Sequence, residues 1–306
     1  MKDHIYPKSS CICSLFERLE LGKRVSIYFK GSSDPVTITF MLYNKLSGCV
    51  KALLNQQVYV FNCNNVVAVT NPIRINKYLY VSNQNSSANN IEIYDINNPS
   101  TPIRLDEFNG QNLDGPTGLA IKGAFLYVAN FRNNTVEIYN ISNPSSPTRI
   151  SEFNGSNLSR PYLMLIRRNL LYVSNFGNNT VEIYNISNPL VPIRVNEFNG
   201  ANLNDPTGLA AIGNILYVAS FSNNTVEIYN IANPIAPIRV GEFNSSNLNR
   251  PSELIITGNT LYVANFNANN VKIYDISNPT SPVNTGVFNS GNLNNPAGFA
   301  ILTSTR

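Results

Sequence analysis

Tryptophan is absent from this 306-residue chain, histidine occurs once, and only 13% of the residues are charged. The single histidine, His4, stands close to the first residue, so no His-based metal set or acid–base pair can be assembled further along. Cysteine is scarce and confined: Cys11, Cys13, Cys49 and Cys63 all precede residue 64, and Cys11-Ile12-Cys13 lacks the C-x-x-C spacing of a zinc or haem site. No metal and no cofactor is expected. The net charge of +4 is not gathered into a basic run, so nucleic acid is not implied as a partner. No apolar run approaches the length of about 18 residues that would cross a membrane, and MKDHIYPKSS has no apolar stretch of the Sec-leader type.

What the chain has in quantity is asparagine, and it recurs with a period. NFRNNTVEIYNISNP (130–144) returns as NFGNNTVEIYNISNP (175–189) and SFSNNTVEIYNIANP (220–234). The tyrosine of an LYV triplet stands at Tyr80, Tyr127, Tyr172, Tyr217 and Tyr262, with steps of 47, 45, 45 and 45. The longer first step comes from two extra residues in NQNSSANN (83–90). In the second copy, GLAIKG, FLYVANF, TVEIYNI and TRISEF each read as a short strand, rich in β-branched and aromatic residues and bounded by Asn, Gly or Pro. Four short strands per 45 residues are a blade of a β-propeller.

Five copies predict five blades. GFAIL (298–302) aligns with the leading strand GLAIK (118–122), while the first copy lacks such a strand, so the C-terminal strand is expected to complete blade one and close the ring. Six blades remain an alternative if VYVFNCNNVVAV (58–69) belongs to a degenerate blade. The segment LYVANF…NNVKIYDISNPTSPV (261–283) resembles the propeller repeats called LVIVD repeats, and is similar to the YVTN-type propellers of bacterial and archaeal surface proteins. The resemblance implies the fold over about residues 72–303 and a role as a binding or assembly platform.

The remaining N-terminal part has another grammar. Residues 1–12 read as a flexible, Cys-containing tail, and 13–70 as a short helix (14–21) followed by strands at 24–30, 36–43, 49–54, 58–63 and 66–70. LGKRVSIYFKG (21–31) and NCNNVVAV (62–69) resemble the Sm/LSm fold, which implies a small SH3-like β-barrel before a propeller at 71–306. Cys63-Asn64-Asn65 stands where RNA-binding members commonly carry Arg-Gly, so RNA binding is not expected. Cysteine-led small barrels also resemble components of Bacillus-type spore outer layers, implying localisation at the spore coat or exosporium, with the cytoplasm as the alternative.

Repeated charges invite a site. Glu92, Glu137, Glu182 and Glu227 share one position of the third strand, and Arg104, Arg149, Arg194 and Arg239 one position of the fourth. In the fifth copy Glu becomes Lys272 and Arg becomes Asn284, a joint change that predicts cross-strand ion pairs, Glu137–Arg149, Glu182–Arg194 and Glu227–Arg239, and no reactive ring. The blades present nearly the same residues at each position, so no catalytic residue is expected and the chain is read as not an enzyme. A face of amides and rings, Asn130, Phe131, Asn175, Phe176, Phe221, Asn265 and Phe266, is the candidate ligand surface. Cys11 and Cys13 are candidates for cross-linking chains. The function expected is a non-catalytic structural or assembly platform joined to other protein chains, its own copies or surface-layer proteins. A carbohydrate-binding propeller taking polysaccharide on the Asn/Phe face is the alternative.

Overall fold

A computed structural model describes residues 24–29, 36–44, 49–54, 57–62 and 66–70 as strands. It also describes residues 77–299, apart from 86–87, 111, 155–156, 201, 245–247, 290 and 292. The chain divides into two compact units, 1–76 and 77–306. The first contains β1 (Arg24–Phe29), β2 (Val36–Asn44), β3 (Cys49–Leu54), β4 (Gln57–Asn62) and β5 (Val66–Thr70), in the sheet order β4-β3-β2-β1-β5. The expected helix at 14–21, Cys11 and Cys13 fall outside the described residues. Because β4 pairs with β3 and β5 with β1, residues 58–69 are not a sixth blade.

The second unit is an all-β, five-bladed propeller. Blade one has three strands, β6 (Tyr78–Asn85), β7 (Ala88–Asp95) and β8 (Ile103–Phe108). Blade two is β9 (Pro116–Lys122), β10 (Phe125–Asn130), β11 (Thr135–Asn140) and β12 (Thr148–Phe153), and blade three is β13 (Pro161–Arg167), β14 (Leu170–Asn175), β15 (Thr180–Asn185) and β16 (Ile193–Phe198). Blade four is β17 (Pro206–Ile212), β18 (Ile215–Ser220), β19 (Thr225–Asn230) and β20 (Ile238–Phe243), and blade five is β21 (Pro251–Thr257), β22 (Thr260–Asn265), β23 (Asn270–Asp275) and β24 (Val283–Phe288). Neighbouring strands within each blade run antiparallel. First strands of successive blades approach one another and fourth strands are largely exposed, so the first strands surround the axis.

Why the second strands are apolar on both parities is now visible. Leu126 and Val128 pack toward blade one with Ile91 and Tyr80, while Tyr127 packs toward blade three with Leu171 and Val173. Tyr80, Tyr172 and Tyr217 also donate hydroxyl hydrogen bonds to the carbonyls of Pro144, Pro234 and Pro279 on the next blade, at 2.7, 2.7 and 2.6 Å. The outermost stitch is aromatic: Phe108–Tyr139, Phe153–Tyr184, Phe198–Tyr229 and Phe243–Tyr274 all sit at 4.6 Å between centroids, tilted as ring quadrupoles prefer.

The outer flanks of blades one and five differ. Leu79 and Val81 are 40% and 39% exposed and Phe288 47%, where their counterparts Leu126 and Val128 have no exposure and Phe198 only 8%. Of the expected closing strand 298–302, Gly298 and Phe299 lie outside any strand and 300–302 lie outside the described residues.

Candidate functional site

The site is best built from the loops inward. Each second strand ends in a residue whose side chain latches the incoming link. Asn130 Oδ1 accepts from the Asp114 N–H, and its Nδ2 donates to Asn112 O and Thr135 Oγ1. Asn175 binds Ser159 N–H, Asn157 O and Thr180 Oγ1 in the same way, and Asn265 accepts from Asn249 N–H and donates to Asn270. All three have no exposed surface. In blade four Ser220 does this with a hydroxyl, accepting from Asn204 N–H at 2.9 Å. These amides satisfy buried backbone groups that would otherwise be costly orphans. The expected carpet of outward amides is thereby corrected at these positions: they face into the fold.

The phenylalanine that follows each latch behaves differently. Phe131, Phe176, Phe221 and Phe266 are half-buried, and their N–H groups donate to the carbonyls of Gly115, Arg160, Asp205 and Arg250. Successive ring centroids are 5.7, 6.2 and 5.7 Å apart, so the four rings form an arc. Tyr162 joins it, 6.0 Å from both Phe131 and Phe176. Blade one carries Gln84 where the others carry Phe, in a hairpin two residues longer. Over two of the rings lie guanidinium groups: Arg160 is 5.8 Å from the Phe131 centroid and Arg250 5.4 Å from that of Phe221.

The decisive residue is on an inner strand, and the repeat hides it. Copies of that strand begin PTG, PYL, PTG, PSE and PAG, so the column reads Gly118, Leu163, Gly208, Glu253 and Gly298. Glycine is required at two of these positions by close approach: a Cβ on Gly118 would sit 2.5 Å from the Tyr162 carbonyl oxygen, and one on Gly208 within 3.0 Å of the Glu253 backbone. Glu253 therefore packs its main chain against Gly208 of the preceding blade. Among the described residues no cation pairs with it, and burial pushes its carboxyl up to about 8, against the pull of a hydrogen bond from the Leu254 backbone. Burial also raises the Tyr162 phenol, with the Glu253 charge adding to it. Tyr162 belongs to blade three and Glu253 to blade five, so this effect of Glu253 on Tyr162 reaches across the axis. The blades are thus less uniform than the repeat suggests, since only one carries an acid in this column, and comparing the inner-strand copies column by column would have exposed both residues.

The repeated charges lie elsewhere, toward the outer edge of the blades. Arg149 Nε is 3.1 Å from Glu137, while Arg194 and Arg239 are 2.5 Å from Glu182 and Glu227. Each arginine also reaches the acid three residues on, Glu152, Glu197 and Glu242, at 2.9, 2.8 and 2.6 Å. Glu137, Glu182 and Glu227 have no exposed surface. Two like charges are directly opposed in the register, Glu137 with Glu152 for example, and the arginine bridges them. Burial lifts Glu182 to about 7, and a hydrogen bond with Glu182, helped by the Arg194 charge, holds Glu197 below the usual carboxylate range. Tyr139 donates its hydroxyl to Glu137. Among the described residues no group of three His, Cys, Asp or Glu side chains could hold a metal ion, and no helix is long and apolar enough to cross a membrane.

Residues 75–109, 117–155 and 251–290 match the family model of the LVIVD repeat. No curated protein matches the chain by sequence. Among solved structures, a candidate 6-phosphogluconolactonase from Bacteroides fragilis is similar with a TM-score of 0.59 at 13% identity, over 90% of this chain and 96% of that one. A functionally unknown protein from Desulfotomaculum acetoxidans gives 0.60 at 16%, over 92% and 90%. The periplasmic gluconolactonase of Pseudomonas aeruginosa gives 0.58 at 10%, over 90% and 98%. At these identities the likeness establishes the fold. Two of the three carry lactonase names, and this overturns the expectation of a non-catalytic structural platform for a propeller of this kind.

Proposed function

We propose that the propeller hydrolyses ring esters of the lactone type on its axis, with Glu253 as the acid–base group and Tyr162 as a hydrogen-bond donor to the ester carbonyl. The observation that carries this reading is the Glu253 carboxyl, desolvated and without a cation partner among the described residues, on an innermost strand that no other blade furnishes with an acid at this position. A carboxyl titrating near 8 is basic enough, once ionised, to take a proton from an attacking water, and acidic enough to return it to the ring alkoxide as the C–O bond breaks. Water and lactone become a hydroxy acid, with no other reactant. The Tyr162 phenol stays protonated through this range and stabilises the carbonyl oxygen as its charge grows. The lactonase names of proteins sharing the fold support the same class.

The test is proton release from glucono-δ-lactone followed in a pH-stat, corrected for the spontaneous reaction. Turnover is expected to rise as pH passes through about 8, where Glu253 ionises. Glu253→Gln should lower it by about 10²-fold or more. A wild-type rate no faster than the blank across a panel of sugar and aliphatic lactones would end the proposal, as would a Gln variant of full activity.

We also infer that residues 298–302 supply the inner strand that blade one lacks. Ser252 Oγ donates to Pro296 O at 2.8 Å, as Thr117 and Thr207 donate to Pro161 and Pro251 at 3.1 Å, which supports an exit from blade five along the usual path. Truncation after Asn295 should then lower the melting temperature by 10 °C or more, roughly the loss of 3 kcal/mol or more in a domain of this size. An unchanged melting temperature would rule the closing strand out.

A further inference from the structure

The arc of phenylalanines carries two guanidinium groups over its rings, from Arg160 and Arg250. The link residue before each inner-strand proline is Gly115, Arg160, Asp205, Arg250 or Asn295. All five have a left-handed backbone, with φ between 49° and 64°. Glycine, asparagine and aspartate tolerate that region; arginine gains nothing there conformationally, and strain at such positions persists where something compensates it. The compensation is not an ion pair. Among the described residues, no carboxylate lies within ion-pair distance of Arg160 or Arg250, whereas Arg132 on the same face is paired with Asp114 at 3.2 Å. Asp205, between them in the series, accepts a hydrogen bond from the Ser222 hydroxyl. The turn itself is held as in the other copies, the Arg160 and Arg250 N–H groups donating to Asn134 and Asn224 Oδ1 at 2.7 and 2.8 Å, while each guanidinium lies over the face of an aromatic ring and, among the described residues, on no carboxylate.

We propose that Arg160 and Arg250 recognise an anionic group, a carboxylate or a phosphate, on a sugar-derived ligand whose ring rests on the Phe131–Phe176–Phe221–Phe266 arc. Sugar rings present C–H faces that pack on aromatic rings, and the half-buried phenylalanines offer such faces without competing hydrogen-bond groups. The anion is held at the rim and the ring faces the axis. This rests on the axial space being the reactive site only for its consequence in turnover. The binding claim stands by itself, because guanidinium forks bind oxyanions whether or not chemistry follows.

The experiment is isothermal titration calorimetry of the full chain with glucose, glucuronate and glucose 6-phosphate, at 50 and 300 mM salt. The wild type is expected to bind at least one of the two anionic sugars tenfold or more tightly than glucose, with the advantage shrinking at higher salt. Whether the carboxylate or the phosphate is preferred identifies the source of the charge. Arg160→Gln with Arg250→Gln should remove the advantage, Arg160→Lys with Arg250→Lys should restore part of it, and Glu253→Gln should keep it. Circular dichroism and the melting temperature establish that the variants are folded. Equal binding of glucose and both anions, no binding of any of them, or an advantage that survives the double Gln variant overturns the proposal. Anion preference with no lactone turnover would discard the hydrolase reading alone, and lactone turnover with equal binding of glucose and both anions would discard this one alone.

Discussion

Glu253→Gln is expected to stabilise the propeller at alkaline pH and to leave its stability unchanged at pH 4. Folding raises this carboxyl from an ordinary value of 4.5 to about 8, so the native state prefers its protonated form. Below pH 4.5 both folded and unfolded chains carry the proton, and the group costs nothing. As pH climbs from 4.5 to 8 the unfolded chain ionises freely while the folded one resists, and stability falls at about 1.4 kcal/mol per pH unit. Above pH 8 the penalty is complete at roughly 5 kcal/mol. Glutamine occupies the same volume without the charge and escapes it. Urea unfolding followed by circular dichroism at pH 4, 7 and 9 reads this directly, and a Gln variant no more stable than wild type at pH 9 would mean that Glu253 is solvated. A carboxylate retained at such a cost is what a reactive site looks like, since stability is commonly lost where activity needs a destabilised group.

The opposite sign is expected at the outer clusters. Arg239→Ala should cost about 3–5 kcal/mol, because it leaves Glu227, which has no exposed surface, without its 2.5 Å partner. The same change also releases Glu242, held at 2.6 Å. For a domain of this size the melting temperature would fall by roughly 10 °C. Burial already raises the Glu227 carboxyl, so the deficit should shrink on acidification toward pH 4.5, where the unpaired acid takes up a proton in both states. The double change Arg239→Met with Glu227→Leu removes both charges and should recover most of the loss. If the double variant is as unstable as the single one, the damage comes from lost arginine packing and not from a stranded charge.

Much of this architecture was legible in the chain because its signals are local. The period of 45, the two-sided apolar second strands and the proline turns each report on a few neighbouring residues. Strands expected at 49–54 and 66–70 are observed with those bounds, and those of blade two run within two residues of expectation. The Glu–Arg pairing was legible as well, since a change in one copy altered both partners together. Asn130, Asn175 and Asn265 misled. Composition shows that an amide is present, but whether it turns out to water or in to a passing loop depends on how the link docks beside it. Glu253 was overlooked because averaging the copies favours what they share, and this acid is what one copy does not share.

The linear chain alone therefore determined the repeat and its four-strand pattern, because hydrophobic periodicity and turn residues act over ten residues or fewer, while the pairing of residues 57–62 and 66–70 outside the propeller decided five blades over six. It could not settle which side chains share the axis. Tyr162 and Glu253 lie two repeats apart, and their encounter exists only once successive blades have turned the inner strands to face one another. Burial on the inner strand then makes an ordinary carboxyl into a group that titrates near 8. That property belongs to the enclosed space rather than to the residue, and no span of the chain shorter than the ring contains it.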